Sequence, residues 1–492
     1  MASDKARAVG SPSPAPAAGV PALAIGAGAL TLLDVTMINV AAPVIAGDLG
    51  LSGTATRLVL IAYTLSFAVV LVAAGRAGDV AGHHRLLRLG TVVFLAGAVV
   101  ACLAPTAGVL VAGRVVQGVG AGILQPQVAA ELLRLPAGGP RARAFGAYGA
   151  AVGAATGIGP VLAGLVVTVA PGAGGWRAVF VVEAAAALVL LALLARAARG
   201  RPAQPRGQRW GDVDAFGALL VGAAVVCALV PVVAPGEVVA GTWAWAGGAL
   251  VLAAAAVGWE RRRGRTGRPQ AVPSGLVRQG GYRRGLLVAM VQFGATTGLL
   301  FAVSLGLQSG SGLDPLSAGL ALTPFALGTV AAAALAGRLL PRRGGRVVAA
   351  GLAVGLAGAA ALAGVSAAVP GTTLAWWTAA AMLVVGAGNG LVVTPNQTLA
   401  LSIAPASHAG SAAGLLQSVQ RLGSSLGILV VGAVQEQVLR SGTWQEALAA
   451  AVGVAGAGLL LVLPVALLAG RAGERPRGGG AARRGRSEHS EP

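Results

Sequence analysis

Long apolar runs broken by short polar segments recur along the whole chain. Most approach the roughly 20 residues that an α-helix needs to cross a hydrocarbon core. Fourteen such runs lie at about 20–46, 57–75, 86–104, 107–133, 143–170, 177–195, 214–234, 243–259, 285–308, 316–340, 347–368, 374–396, 408–435 and 447–469. A division into twelve competes, because Gly and Pro interrupt several runs and permit other splits. The first run is too long for a signal-peptide core and carries Asp34, so it reads as a retained helix.

Composition turns this pattern into a membrane assignment. Apolar residues make up 56% of the 492, charged residues only 11%, and mean hydropathy is +0.79, which no ordinary soluble domain shows. The expected fold class is an all-α integral membrane protein. In a soluble chain a net charge of +20 would suggest nucleic acid, but its placement here excludes that reading. With a cytoplasmic N-terminus, 31 of the 36 basic residues fall in inside segments; Arg57, Arg177 and Arg440 fall outside, and Arg114 and Arg421 within helices. An even number of spans with both termini cytoplasmic follows, as for a multi-pass protein of the cell membrane. Residues 1–19, with Ser11-Pro12-Ser13-Pro14, and the Arg/Gly-rich tail 471–492 read as disordered. Cys102 and Cys227 sit in apolar runs as small hydrophobes, and neither a disulfide framework nor a metal site is suggested.

An internal echo appears when residues 20–196 are set against 285–470. Gly75-Arg76 to Arg85, after the second run, matches Gly337-Arg338 to Arg346, after the tenth. The fourth run has Gly118, Gly120 and Gly122 before Pro126-Gln127, and the twelfth has Gly386, Gly388 and Gly390 before Pro395-Asn396. Two six-helix bundles in parallel repeat, separated by basic loops and two inserted helices over 197–284, account for this most simply.

Several polar residues interrupt the apolar runs. The first carries Leu33-Asp34, Thr36, Asn39 and Pro43, and a carboxylate at that depth costs several kcal/mol unless it faces a cavity or a partner. In the fourth, Arg114, Gln117, Ala121 and Gln125 recur at helical spacing as one polar stripe. A guanidinium inside the membrane needs a carboxylate, carbonyls or water beside it, and Arg114 can serve Asp34 or Glu183. Glu183 follows Trp176-Arg177 in the sixth run and reads equally as a second proton site or an interfacial residue. In the fifth, Gly149, Gly153 and Gly157 precede Gly159-Pro160 and Gly164, a small-residue spacing that lets helices approach closely. Gly410, Gly414, Gln417, Gln420, Arg421 and Ser424 share one face of the thirteenth run, and with Gln292, Asn389 and Asn396 form candidate cavity polar groups. Helix-to-helix hydrogen bonding explains any one of them as well.

The Leu33-to-Pro43 segment closely resembles the first-helix signature of the 14-helix drug:proton antiporter branch of the major facilitator superfamily. Ala112-Gly113-Arg114 through Gly122 is similar to that superfamily's fourth-helix motif, whose arginine is implicated in proton transfer. Gly75, Asp79, Gly82 and Arg85 keep their places in its signature loop, whose acidic residue latches the bundles on the cytoplasmic side, although Val80 and His83-His84 replace more usual basic residues. Gly153, Gly157, Gly159, Pro160 and Gly164 resemble the antiporter helix motif, with Ala163 where a second Gly is usual, and are the main hint of export. Glu183 stands where Asn is often seen.

The resemblance implies a proton-coupled antiporter that works by alternating access, with Asp34, Arg114 and Glu183 in proton coupling. It also implies no cofactor beyond the proton gradient, a small-molecule substrate, and function as a monomer in the bilayer. The Ala/Gly/Arg bias with almost no Lys resembles bacterial exporters that confer resistance to antibiotics or dyes. The carboxylates lean toward amphipathic or cationic cargo; a proton-coupled transporter of an amino acid, sugar or siderophore is the alternative. Gly-x-Gly runs inside apolar helices without a preceding strand do not suit a nucleotide site, and the four histidines form no catalytic or metal pattern, so an enzyme is not expected.

Overall fold

In lipid a backbone satisfies its polar groups only by bonding to itself, and the described structure is helical throughout. The computed structural model describes residues 19–170, 174–199, 214–233, 242–268, 270, 274–313, 315–368, 374–405 and 408–472. The expected disorder of both chain ends falls on 1–18 and 473–492, outside those residues. The elements are α1 (Val20–Asp48), α2 (Gly53–Ala81), α3 (His83–Cys102), α4 (Ala107–Leu133), α5 (Gly139–Val169), α6 (Arg177–Ala198), α7 (Ala215–Val233), α8 (Thr242–Arg265), α9 (Ser274–Val277), α10 (Gly280–Leu305, continued by a π-helical turn Gly306–Gly310), α11 (Pro315–Arg343), α12 (Arg346–Ala368), α13 (Leu374–Leu401), α14 (Ala409–Leu439) and α15 (Trp444–Ala472).

Twelve of these are long and apolar enough to cross a membrane: α1 to α6 and α10 to α15. The inserted pair expected as two further spans is also helical. However, the apolar stretch of α7 covers only Phe216–Ala228, and α8 runs on into Arg261, Arg262, Arg263 and Arg265. The hairpin is tied at one end by Asp214, which accepts from the Gly217 N–H at 3.0 Å and from the Trp259 indole at 3.1 Å, and pairs with Arg263 at 3.2 Å.

Two signature segments read as loops from sequence prove to be helix with a one- or two-residue joint. α2 runs through Arg76 and Asp79 to Ala81, and Gly82, at φ 93°, alone separates it from α3. α11 continues to Arg343, and Gly344, at φ 52°, makes the turn into α12. The left-handed backbone at both joints is one that a side chain would strain, so the polar character of these segments marks helix ends rather than irregular chain.

The repeat appears in how the glycines pack. Residues two apart on a helix point to opposite flanks, and residues four apart to the same one. Gly118 and Gly122 accordingly meet α2 at Tyr63 and Phe67, while Gly120 meets α3 at Phe94. In α13, Gly386 and Gly390 meet α11 at Phe325 and Thr329, while Gly388 meets α12 at Gly355. In each half, one glycine triad thus clamps the fourth helix between the second and third.

The ends of the helices that carry the arginine clusters form one face, here called the basic end. At the opposite end, Asp48 accepts from the Trp176 indole at 2.8 Å and from Arg177 at 3.2 Å, and Arg177 also donates to the Ala104 carbonyl at 2.8 Å. This staple joins α1, α6 and the α3–α4 turn. Replacing Asp48 by Ala strands the buried indole N–H and is expected to cost about 1–2 kcal/mol, read as a lowered midpoint in thermal unfolding of the detergent-solubilised protein. An unchanged midpoint would show that the staple contributes nothing.

Candidate functional site

Asp34 lies at the middle of α1, fully buried, and Arg114 of α4 is 1% exposed beside it. Arg114 donates to both carboxylate oxygens, Nη1 to Oδ1 and Nη2 to Oδ2, the latter at 3.1 Å. Such a fork-to-fork pair fixes orientation as well as charge. Nη1 also donates to Gln117 Oε1 at 2.9 Å, and Gln117 Nε2 donates to Glu183 Oε2 at 2.8 Å. One helical turn of α4 therefore carries a relay from a carboxylate on α1 to a carboxylate on α6. Glu183, read from sequence as proton site or interfacial residue, is fully buried within this cluster. Among the described residues no donor reaches its second oxygen.

The remaining members of the α4 stripe extend the polar track toward the basic end. Gln125 donates to Thr31 Oγ1 at 2.7 Å and accepts from the Tyr148 hydroxyl at 2.9 Å. Gln417 of α14 donates to the Gln125 carbonyl at 3.2 Å, a hydrogen bond between the two halves of the chain. Tyr63 of α2 lies under Arg114, 4.5 Å from guanidinium carbon to ring centre, with its hydroxyl donating to the Thr31 carbonyl at 2.9 Å.

Sequence reasoning missed Tyr63, Tyr148 and Thr31. The signal was rarity: the chain has three tyrosines, and all three hydroxyls are buried with partners, Tyr282 donating to the Ala412 carbonyl. A tyrosine placed inside an apolar run rather than at a membrane boundary implies a buried acceptor for its hydroxyl.

Of the cavity candidates on the second half, Gln292 donates to Thr296 and Asn389, Asn389 donates to Thr329 at 3.5 Å, and Gln292 Oε1 has no partner among the described residues. Asn396 instead bonds to the Gly285 carbonyl at 2.9 Å, tying α13 to α10. Gln420 is buried on α14, and Arg421 lies over the Phe67 ring, 4.9 Å from its centre. The Asn39 and Pro160 side chains lie outside the described residues.

The halves meet through glycine on both seams. On α5, Gly146 meets Gly337 of α11, Gly149 meets Ala333 and Thr394, Gly153 meets Val330 and Gly157 meets Ala326. Gly159 turns inward to Thr36 of α1, and Gly164 faces open space. On the other seam Gly75 and Gly410 bring the backbones of α2 and α14 together. There Asp79 accepts from the Gly410 N–H at 2.8 Å and from the Ser411 N–H and hydroxyl at 3.0 and 2.6 Å. These are orphan donors of a helix N-terminus, whose partial positive charge favours a carboxylate. Asp79 thus caps a helix of the other half and joins the two halves at the basic end. Arg85 of the same segment is exposed and takes no part in this cap.

Comparison with known proteins gives a match to the family model "Major Facilitator Superfamily" over residues 24–428. The chain is 32% identical over 416 residues to a probable actinorhodin transporter of Streptomyces coelicolor, covering 83% of this chain and 70% of that protein. It is 32% identical over 421 residues to a puromycin resistance protein of Streptomyces alboniger, covering 82% and 79%. It is 30% identical over 427 residues to a tetracenomycin C resistance and export protein of Streptomyces glaucescens, covering 83% and 74%. Among solved structures, a fucose transporter in its outward conformation superposes with a TM-score of 0.64 at 13% identity, over 91% of this chain and 98% of that one. A proton:xylose symporter gives 0.63 at 15%, over 90% and 94%.

Proposed function

We propose that this chain, which belongs to the Major Facilitator Superfamily, exports small amphipathic molecules in exchange for protons. It is a multi-pass membrane transporter, not an enzyme, and relatives named for antibiotic export or resistance support the direction of transport. The observation that carries the proton reading is the stoichiometry of the buried cluster: two carboxyl groups, Asp34 and Glu183, against one guanidinium, Arg114. One carboxylate is neutralised in place. The other has no cation of its own, so the cluster can hold one proton and give it up as a unit.

The same reading assigns the basic end to the cytoplasm, since 31 of 36 basic residues lie on that side of the alternating helices. The two inserted helices then complete fourteen spans with both termini inside, and the monomer is the working unit. Two bundles that touch through glycine seams and a cross-bundle cap support alternating access: opening the basic end requires Asp79 to leave the N-terminus of α14, and closing restores it. Protonation of the cluster on α1, α4 and α6 biases this rocking by changing which arrangement bears an uncompensated buried charge.

The test uses purified protein in liposomes under an imposed pH gradient, with amphipathic drugs and metabolites added singly. Addition of a cargo is expected to drive proton movement opposite to cargo movement. Cargo transport that proceeds equally without a gradient, from protein shown to be folded and inserted, would refute proton exchange.

A further inference from the structure

The two halves turn at equivalent joints that carry opposite charge. Gly82 leads α2 into α3, and Gly344 leads α11 into α12. Counted back from these glycines, Pro341 takes the place of Asp79, and Arg342-Arg343 the place of Val80-Ala81. The first joint spends its carboxylate inside the protein, on the N-terminus of α14. The second presents its cations outward, since Arg342 and Arg343 are both exposed.

Those two arginines stand between two hollows. On one side a cavity of about 500 Å³ opens among the basic ends of α10 to α13, with Arg284 on one wall and Gly344 and Gly345 on another, at the N-terminus of α12. Arg284 is held by its Nε, which donates to the Gly280 carbonyl at 3.0 Å. On the other side a cleft of about 550 Å³ has Arg346 beside the same pair and continues over Leu335, Leu339 and Leu391. Leu335 and Leu339 lie one turn apart on a single flank of α11, and Leu335 is 48% exposed. It precedes Arg342 by seven residues, or about 10 Å along the helix, which carries the cleft from the charged end toward hydrocarbon. The described linings of the two hollows together hold four arginines and no acidic side chain.

An excess of positive charge on one side of a membrane requires only that arginines lie there, as the exposed Arg261 and Arg262 of α8 do. It does not require that they converge on a helix N-terminus, whose free N–H groups favour phosphate, or that an apolar cleft lead away from them. Guanidinium forks match phosphate oxygens, and basic hollows between membrane helices suit anionic head groups. We propose that the joint between α11 and α12 binds one anionic phospholipid from the leaflet at the basic end. Arg342 and Arg343 hold its phosphate, Arg284 and Arg346 flank the head group, and an acyl chain lies along Leu335, Leu339 and Leu391. The apolar cleft is what selects a lipid over a free phosphate. The site is independent of the proton cluster and of the cargo.

Native mass spectrometry of the full-length protein in detergent counts bound lipids without any transport. The protein is titrated with dioleoyl phosphatidylglycerol and, separately, with dioleoyl phosphatidylcholine, which has the same chains and a neutral head group. The wild type is expected to take up one phosphatidylglycerol about tenfold more tightly than phosphatidylcholine. Arg342→Gln combined with Arg343→Gln should abolish that preference, whereas Arg261→Gln combined with Arg262→Gln, which removes the same charge from α8, should keep it. Leu335→Trp, which fills the cleft, should weaken phosphatidylglycerol binding, and glycerol 3-phosphate should not displace the lipid. Equal affinity of the wild type for both lipids, or the same loss in both arginine pairs, would overturn the proposal. Displacement by glycerol 3-phosphate would overturn it as well, by making the hollow a site for free phosphate esters. The wild-type titrations and the competition need no variant and decide the matter even if the arginine variant does not fold. One tightly held phosphatidylglycerol on a protein without proton flux would retain this site and refute the antiport mechanism instead.

Discussion

Proton-linked transport is expected to vanish in Asp34→Asn, while the protein still inserts and folds. Asn keeps the shape of the side chain and one acceptor for Arg114, which also retains Gln117. With Asp34 neutral, Glu183 becomes the counter-charge of Arg114 through the Gln117 relay. The cluster then holds one cation and one anion and has no exchangeable proton left. Substrate-induced proton flux should fall at least about a hundredfold, comparable to losing a buried charge interaction of about 3 kcal/mol, with a thermal midpoint near that of the wild type. Glu183→Gln reaches the same charge count from the other side and should uncouple as well. Arg114→Gln differs in kind, because it leaves two buried carboxyls with no cation and should cost stability as well as flux. Undiminished coupling in Asp34→Asn would remove the proton role from this cluster.

A valine at Gly75 should hold the basic end open. Any Cβ there falls on the Gly410 carbonyl of α14, a backbone atom that cannot rotate away. Overpacking of this kind costs about 1–3 kcal/mol and is paid only in the closed arrangement, so the rocking equilibrium should shift about tenfold to a hundredfold toward the open one. Transport should fall with it, and a single cysteine placed at Ala142, beside Gly337 on the second seam, should label faster from the basic side. Gly427→Val is the contrasting case. Its Cβ meets Gly294 between α10 and α14 of the same half, where no working motion relieves it, and folded protein should be lost. Wild-type transport and labelling in Gly75→Val would show that the closed basic end is not a state the transporter visits.

Much of this was legible without a fold. Lipid imposes a length and a composition on every span, so the helices of both halves could be read from apolar runs alone. Charged groups that survive inside such runs are too costly to be incidental, which singled out Asp34, Arg114, Glu183 and Arg421. Helical spacing placed Arg114, Gln117 and Gln125 on one face, and they do share one polar track. The glycine triads at 118–122 and 386–390 marked equivalent helices, and each triad clamps its helix in the same way.

What the sequence could not decide was which faces meet. Helical period places residues on a face but says nothing of the neighbour opposite, so Arg114 was equally open to Asp34 or Glu183 until α1, α4 and α6 were brought together. Tyr63 and Tyr148 were invisible as site residues because their partners are 32 and 23 positions away. The segment around Asp79 looked like a loop because its residues are polar, yet it is helix to Ala81, held so that one carboxylate caps a helix 331 residues later. The meaning of Arg421 also required three dimensions. A charge in an apolar run announces that it needs a partner; only the packing of α14 against α2 shows that the guanidinium lies over the Phe67 ring. Hydropathy is a property of each residue with its solvent, and the chain carries it in full, whereas partnership belongs to pairs of residues and exists only once the helices have packed.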